Sequence, residues 1–595
     1  MFKIIKISDF PKEKLLFLAC SIITILGALF IRLRGLDDLY YFSDEVWHLV
    51  VASKRTIAEV LEYNFQQEVH PPLSPLIWHF MLKISDNILW IRSASYVPAI
   101  LLIPTLYILG NLTIGRAAGF TMAVIAAFGA LDINSGVTVR AYPLMLLALA
   151  WAGIFMYKYI ANQNKKYLVW YFAMVFIAIE LVHSAAFLII PYGLLLMWDA
   201  YKKKSKKEFL VITFGHMFLA ACTVGYAYII KNYYGFEGNY GYFFSSADIF
   251  DYLLNSLRIT IAFLRKLLSL GDGNVSFYIF SFLLAVMPFI LIKNKRQDLL
   301  CIVYIPLILV IITNYLVIYP FPIIMRNNLF LFIPFLLLFG FIAQKLYNFL
   351  LKYIKNEHHF LITAFIVIAI PLIWFVHDFR NPYVGSTKAV GEYYIPKKQF
   401  QRYLNYVNAL KKDGNILVLE NQMIWYFNYL ERESAKVEYL TDHLGHFKSD
   451  NYEFYFSGFP GRQADILLSY YDLEKFASDL LVELKKNGRL ANVKNIIYSH
   501  IGGDYTILGG VMKTGIILQN NPGRQLTAPP EKKSEFDLIK EIITSKQVNI
   551  KVYERSATNS YITIVGMTPE FLKENIIGKE FIDVKTLLKK RLVGN

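Results

Sequence analysis

What most constrains this chain is a succession of apolar runs, most of them near the length that crosses a bilayer and separated by charged or turn-forming clusters. To within a few residues they are 15–31, 92–109, 117–134, 142–160, 168–183, 184–198, 209–230, 275–292, 299–318, 329–346 and 360–376, which predicts about eleven membrane-spanning helices. Composition agrees: 56% of residues are hydrophobic and only 18% charged, too apolar for an ordinary soluble protein. Lys3, Lys6, Lys12 and Lys14 precede the first run, and Arg32 and Arg34 follow it with no small-residue cleavage site. It is therefore expected to stay as a span rather than be removed as a signal peptide. Cys20, Cys222 and Cys301 each lie inside an apolar run, so neither a disulfide nor a cysteine-based zinc site is expected.

The formal charge of +16 is not spread like that of a nucleic-acid binder. Basic residues gather between runs: Lys158, Lys165 and Lys166; Lys202 to Lys207; Lys293, Lys295 and Arg296; Lys345, Lys352 and Lys355. With a cytoplasmic N-terminus, all of these fall on one side, as the positive-inside rule asks. The opposite, extracytoplasmic side then receives the segment 40–73, the turn 132–140, a long loop 231–274, the turn 319–328 and everything after His377. Two domains are expected: a membrane domain, 1–377, and an extracytoplasmic α/β domain, 378–595. The tail carries only about +5, and its β-rich runs at 415–420, 493–498, 548–553 and 561–565 alternate with helical patterns at 399–411 and 473–487. That alternation suggests a partly parallel sheet.

Polar residues of the lysine-poor side are the candidates for chemistry. Asp44 and Glu45 stand together after the first span, with His48 a turn on and His70-Pro71-Pro72-Leu73 further down. Ionisable groups beside a bilayer mark function; the bland alternative is a solvated loop whose acids start a short helix. Asp44 is the candidate general base, able to take a proton from an attacking hydroxyl, while Glu45 either orients a ligand or caps the helix. His70, Arg140 and Arg326 are candidate anion ligands, although any one arginine at a helix end can simply snorkel toward headgroups. Arg258, Arg265 and Lys266 of the long loop are either further anion ligands or interfacial packing, and packing is preferred for Arg258.

Taken in order, Asp44-Glu45, then His70-Pro-Pro-Leu, then Arg140-Ala-Tyr142-Pro-Leu resembles the GT-C glycosyltransferases that use polyprenyl-phosphate sugars. More narrowly it resembles the bacterial branch of the protein O-mannosyltransferase and aminoarabinose transferase superfamily. Tyr319-Pro-Phe-Pro-Ile-Ile-Met-Arg326-Asn-Asn is similar to that branch's element before a late span, with Asn327 where tyrosine is usual. The resemblance implies a polytopic, mainly helical GT-C fold in a bacterial cytoplasmic membrane, and inverting transfer of a hexose or pentose to an extracytoplasmic acceptor: protein, lipid A or a surface glycan. It implies Asp44 as base with Glu45 beside it, and His70, Arg140 and Arg326 near the lipid phosphate. Asp132 lies close to where some relatives carry a second carboxylate, and His48 and Tyr142 are secondary candidates.

No cofactor is required by such a mechanism, because fixed cations can pair the leaving phosphate. A divalent metal held by Asp44, Glu45 and Asp132 is the less favoured alternative. No P-loop or dinucleotide fingerprint argues for a sugar-nucleotide donor. A transporter or flippase of lipid-linked sugars is the second reading. It is disfavoured because the functional charges cluster at one face instead of at mid-membrane in repeated halves. The expectation is an acid from the first exported segment and several distant cations converging on one pocket.

Overall fold

The computed structural model describes, with short gaps, residues 12–33, 43–67, 71–129, 136–234, 249–268, 274–315, 325–353, 400–457, 470–502, 549–552 and 561–567. The chain divides into two compact units, one of residues 1–36 and 54–392, the other of residues 37–53 and 393–595. The short segment bearing Asp44 goes with the C-terminal residues.

In the first unit, α1 (Lys12–Leu33) is followed by α3 (Ile57–Gln67), α4 (Leu73–Ile84), α5 (Ile88–Thr113), α6 (Arg116–Phe128) and α7 (Tyr142–Asn162). Then come α8 (Lys165–Leu181), α9 (Ala186–Lys202), α10 (Lys206–Tyr234), α11 (Ile249–Leu267), α12 (Asn274–Lys293), α13 (Gln297–Tyr315) and α14 (Phe332–Tyr353). Helices stand at the first ten predicted spans; the last, 360–376, lies outside the described residues. Among the described residues, five helices are long and apolar enough to cross a membrane: Ile88–Thr113, Tyr142–Asn162, His183–Lys202, Lys206–Gly225 and Asn328–Tyr353. The Lys206–Gly225 window is apolar yet only 11% buried, and Phe214, Met217 and Phe218 are exposed on it. That pattern suits a lipid-facing surface rather than a protein core.

α5 packs against both α6 and α7. Glycines set the α5–α6 approach: a Cβ on Gly110 would come within 2.6 Å of Met122 Sδ, and one on Gly119 would overlap the Tyr107 carbonyl. Small residues at such a crossing let backbones close where lipid offers no hydrophobic drive. Gln344 of α14 caps α6, its Oε1 accepting from Ala117 N at 3.0 Å and Ala118 N at 3.4 Å. Part of the stretch read as a loop at 231–274 is the helix α11, anchored by Tyr252 Oη donating to the Ile311 carbonyl at 2.6 Å.

The second unit holds a seven-stranded sheet of order β2-β3-β4-β1-β5-β7-β6. Its strands are β1 (Asn415–Leu419), β2 (Lys436–Tyr439), β3 (Leu444–Lys448), β4 (Glu453–Ser457), β5 (Asn495–Gly502), β6 (Asn549–Val552) and β7 (Tyr561–Met567). β1 runs parallel to β4 and β5, and the other pairings are antiparallel. The expected strands are β1, β5, β6 and β7; β2 to β4 were not expected. α15 (Asn421–Leu430) lays Phe427 against Phe447, Phe454 and Tyr452, and α16 (Tyr470–Lys486) coincides with the second expected helix. α2 (Ser43–Ala52) packs on α15. Glu45, Val46, His48, Leu49, Val50, Val51 and Ala52 are all buried, so this short helix is enclosed on nearly every face instead of lying on a surface.

Candidate functional site

The C-terminal ends of α1 and α6, the N-terminal ends of α5 and α7, and the 3-10 stretches His183–Ala185 and Met325–Leu331 gather at one end of the first unit. The turns rich in lysine lie at the other. Buried arginines organise the lysine-poor end. Arg32 Nη1 donates to the Ala127 carbonyl at 2.8 Å and the Ala28 carbonyl at 3.3 Å, and Nη2 donates to the Ala126 carbonyl at 2.8 Å. It thereby fills carbonyls that the last turn of α6 leaves without helical partners, and it meets the negative end of that helix's dipole.

On α5, Arg92, Ser95 and Ala99 share one face at helical spacing. Ser95 Oγ donates to the Arg140 carbonyl at 3.1 Å. A Cβ on Gly136 would lie 2.8 Å from Ala99 Cβ and 3.4 Å from Arg32 Nε. The segment 136–142 is therefore held between α5 and Arg32, and it delivers Arg140 to the start of α7. Trp78 of α4 braces the beginning of α5, its Nε1 donating to the Ile91 carbonyl at 3.2 Å. Arg32, Arg92 and Arg140 are 0%, 0% and 4% exposed. A guanidinium does not deprotonate in a protein, so this burial concentrates permanent positive charge among apolar helices, where charge has to be matched by hydrogen bonds and opposite charge.

Tyr142, the first residue of α7, is buried beside Arg140 in sequence. Met325–Leu331, which carries Arg326, packs against α7 and against His183–Ala185. Phe187 and Phe330 stack there, ring centroids 5.0 Å apart. The C-terminal end of α11 also reaches this end: a Cβ on Gly129 would stand 2.7 Å from the Leu267 carbonyl oxygen. Half-buried Arg265, with Lys266 next in the chain, is thus set near the end of α6 that Arg32 holds. Arg258 is exposed and donates to Asn255 Oδ1 at 3.3 Å, in keeping with interfacial packing.

Of the residues singled out from sequence, Arg140, Tyr142, Arg265 and Arg326 belong to elements brought together in the first unit. Asp44, Glu45 and His48 are on α2 of the second unit; Glu45 and His48 are fully buried. His70 and Asp132, and the side chains of Asp44, Lys266 and Arg326, lie outside the described residues. Arg32, Arg92 and Ser95 were not singled out from sequence, although an arginine within a turn of the end of an apolar run was the available signal. Among the described residues no cluster of three or more His, Cys, Asp or Glu is placed to hold a metal.

The tightness at Gly136 gives a direct test. Gly136→Ala forces the new methyl against Ala99 and toward Arg32, and overpacking of this kind costs about 1–3 kcal/mol. The variant should melt earlier in detergent, with helical content retained before the transition; an unchanged melting temperature would show that 136–140 moves aside freely.

No protein-family model matches the chain, and no curated protein does. Solved structures give likenesses at low identity. ArnT from Cupriavidus metallidurans bound to undecaprenyl phosphate is 11% identical, covering 94% of this chain and 99% of that one at a TM-score of 0.46. Its apo state is 10% identical over 92% and 98% of the two chains, again at 0.46. The archaeal oligosaccharyltransferase AglB from Archaeoglobus fulgidus, in complex with an inhibitory peptide and a dolichol-phosphate, is 13% identical over 84% and 70%, at 0.46.

Proposed function

We propose that this protein is a membrane glycosyltransferase of the GT-C type, moving a sugar from a polyprenyl-phosphate donor to an extracytoplasmic acceptor with inversion. The observation that carries the reading is the set of buried arginines at the lysine-poor end of the helical unit, Arg140 above all. A polyprenyl phosphate is an apolar chain ending in an anion, and buried guanidiniums at the end of a bundle of apolar helices suit both parts. The ordered motifs at Asp44-Glu45, Arg140-Ala-Tyr142-Pro-Leu and Arg326 support the same reading.

In this mechanism Asp44 accepts the proton of the acceptor hydroxyl as its oxygen attacks the sugar's anomeric carbon. The bond from that carbon to the phosphate oxygen breaks, and its electron pair leaves on the lipid phosphate. Arg140, Arg326 and His70, with Arg265 and Lys266, offset the charge that develops there. Glu45 orients donor or acceptor. These steps require no metal, because fixed cations can pair the leaving phosphate. By the positive-inside rule the lysine-poor end faces away from the cytoplasm, in a multi-pass protein of about eleven spans.

Purified protein in nanodiscs is to be given undecaprenyl phosphate carrying a radiolabelled hexose or pentose, with detergent-solubilised envelope material as acceptor. Label should pass to the acceptor and undecaprenyl phosphate should be released. Failure to bind undecaprenyl phosphate at all would overturn the donor assignment. Movement of the lipid across the bilayer without release of sugar would favour a flippase.

A further inference from the structure

Two buried polar side chains at the same end have no hydrogen-bond partner among the described residues. Ser184 Oγ, on a residue 3% exposed, and both amide atoms of Asn328, 1% exposed, are unpaired. They lie on the two 3-10 stretches that pack against each other beside the Phe187–Phe330 stack. An unmade hydrogen bond at a buried donor or acceptor costs about 1–3 kcal/mol, and alanine with leucine would fill the same space without it. Two such residues on adjoining segments therefore point to a ligand that completes them.

Their chemistry indicates which part of a ligand. A carboxamide offers two N–H donors and a carbonyl acceptor, and a hydroxyl both gives and takes. A phosphate diester only accepts, so Asn328 Oδ1 would face it with repulsion. A sugar's hydroxyls give and take together and match the pair. Arg326 sits two residues before Asn328, and this stretch packs against α7, whose N-terminal end carries Arg140.

We infer that Ser184 and Asn328 form a neutral subsite that reads hydroxyl groups of the donor's sugar, beside the cations that take its phosphate. The inference rests on the donor reading above and assigns these residues to sugar specificity rather than to lipid affinity.

The test compares the full chain in nanodiscs with Ser184→Ala and Asn328→Leu, using undecaprenyl phosphate and undecaprenyl-phosphate-linked glucose, galactose and mannose as probes. For the sugar lipid that wild type binds best, each substitution should lower affinity about tenfold, the worth of one lost hydrogen bond. Affinity for undecaprenyl phosphate itself should not change. Because both groups are unpaired without ligand, Asn328→Leu should also raise the melting temperature of the unliganded protein. A lower melting temperature would reveal a structural role and overturn the assignment. So would an equal loss for both lipids, which marks a phosphate contact, or no loss for either, which marks a site filled by water. If wild type binds no undecaprenyl lipid, the donor reading itself has failed, and this inference falls with it.

Discussion

Asp44→Asn should abolish sugar transfer while leaving the protein folded and membrane-inserted. General-base removal typically lowers turnover by about 10²–10⁴-fold, and asparagine keeps the shape of aspartate while losing its capacity to take a proton. The packing of α2 gives reason to expect an intact fold, since Val46, Leu49, Val50 and Val51 form its buried apolar side. Binding of undecaprenyl phosphate should persist, because the proposed phosphate ligands belong to the other unit. The readout is mass spectrometry of surface glycans from cells expressing wild type or variant in a deletion background, alongside lipid affinity in nanodiscs. Wild-type glycan in the variant removes Asp44 from the chemistry, and a flippase would show that outcome. Glu45→Gln is expected to differ. Glu45 is fully buried, and altering a buried polar group that has a partner falls first on stability.

Hydropathy alone marked ten helices of the first unit because an apolar run of bilayer length needs no tertiary information to be recognised. α11 escaped as a loop, its apolar residues Tyr252, Phe263, Leu264 and Leu267 being interleaved with Asn255, Arg258, Arg265 and Lys266. In the second unit the missed strands are four or five residues long. Gly445 in β3 reads as a breaker, yet the ring of Phe456 on β4 lies where a side chain at 445 would be. The association of α2 with α15 joins residues nearly 400 positions apart, which no local pattern signals. Arg32 shows the same limit at the site: its acceptors are carbonyls 94 and 95 residues away. Read locally it is a basic residue closing a span, whereas in the fold it holds the end of another helix.

That difference between arginines supplies the second large effect. Arg140→Gln should lower transfer efficiency by about 10²–10³-fold, the range seen when one fixed donor to a developing oxyanion is removed, and should weaken undecaprenyl phosphate binding alongside it. Ser95 bonds the backbone carbonyl of residue 140, so the clamp on the segment survives the substitution. Arg140→Lys should recover part of the binding, because the ammonium keeps the charge, but little of the rate, because it lacks the planar fork that grips two phosphate oxygens at once. Arg32→Lys should behave the other way round. Its guanidinium serves three carbonyl oxygens from two separate nitrogens, a spread that the one nitrogen of a lysine head cannot reproduce, so the melting temperature should fall while the protein that remains folded keeps its affinity for undecaprenyl phosphate. Should Arg32→Lys lose lipid affinity at unchanged stability and Arg140→Gln lose stability at unchanged affinity, the two roles are exchanged, and the phosphate belongs at the end of α6 rather than at the start of α7.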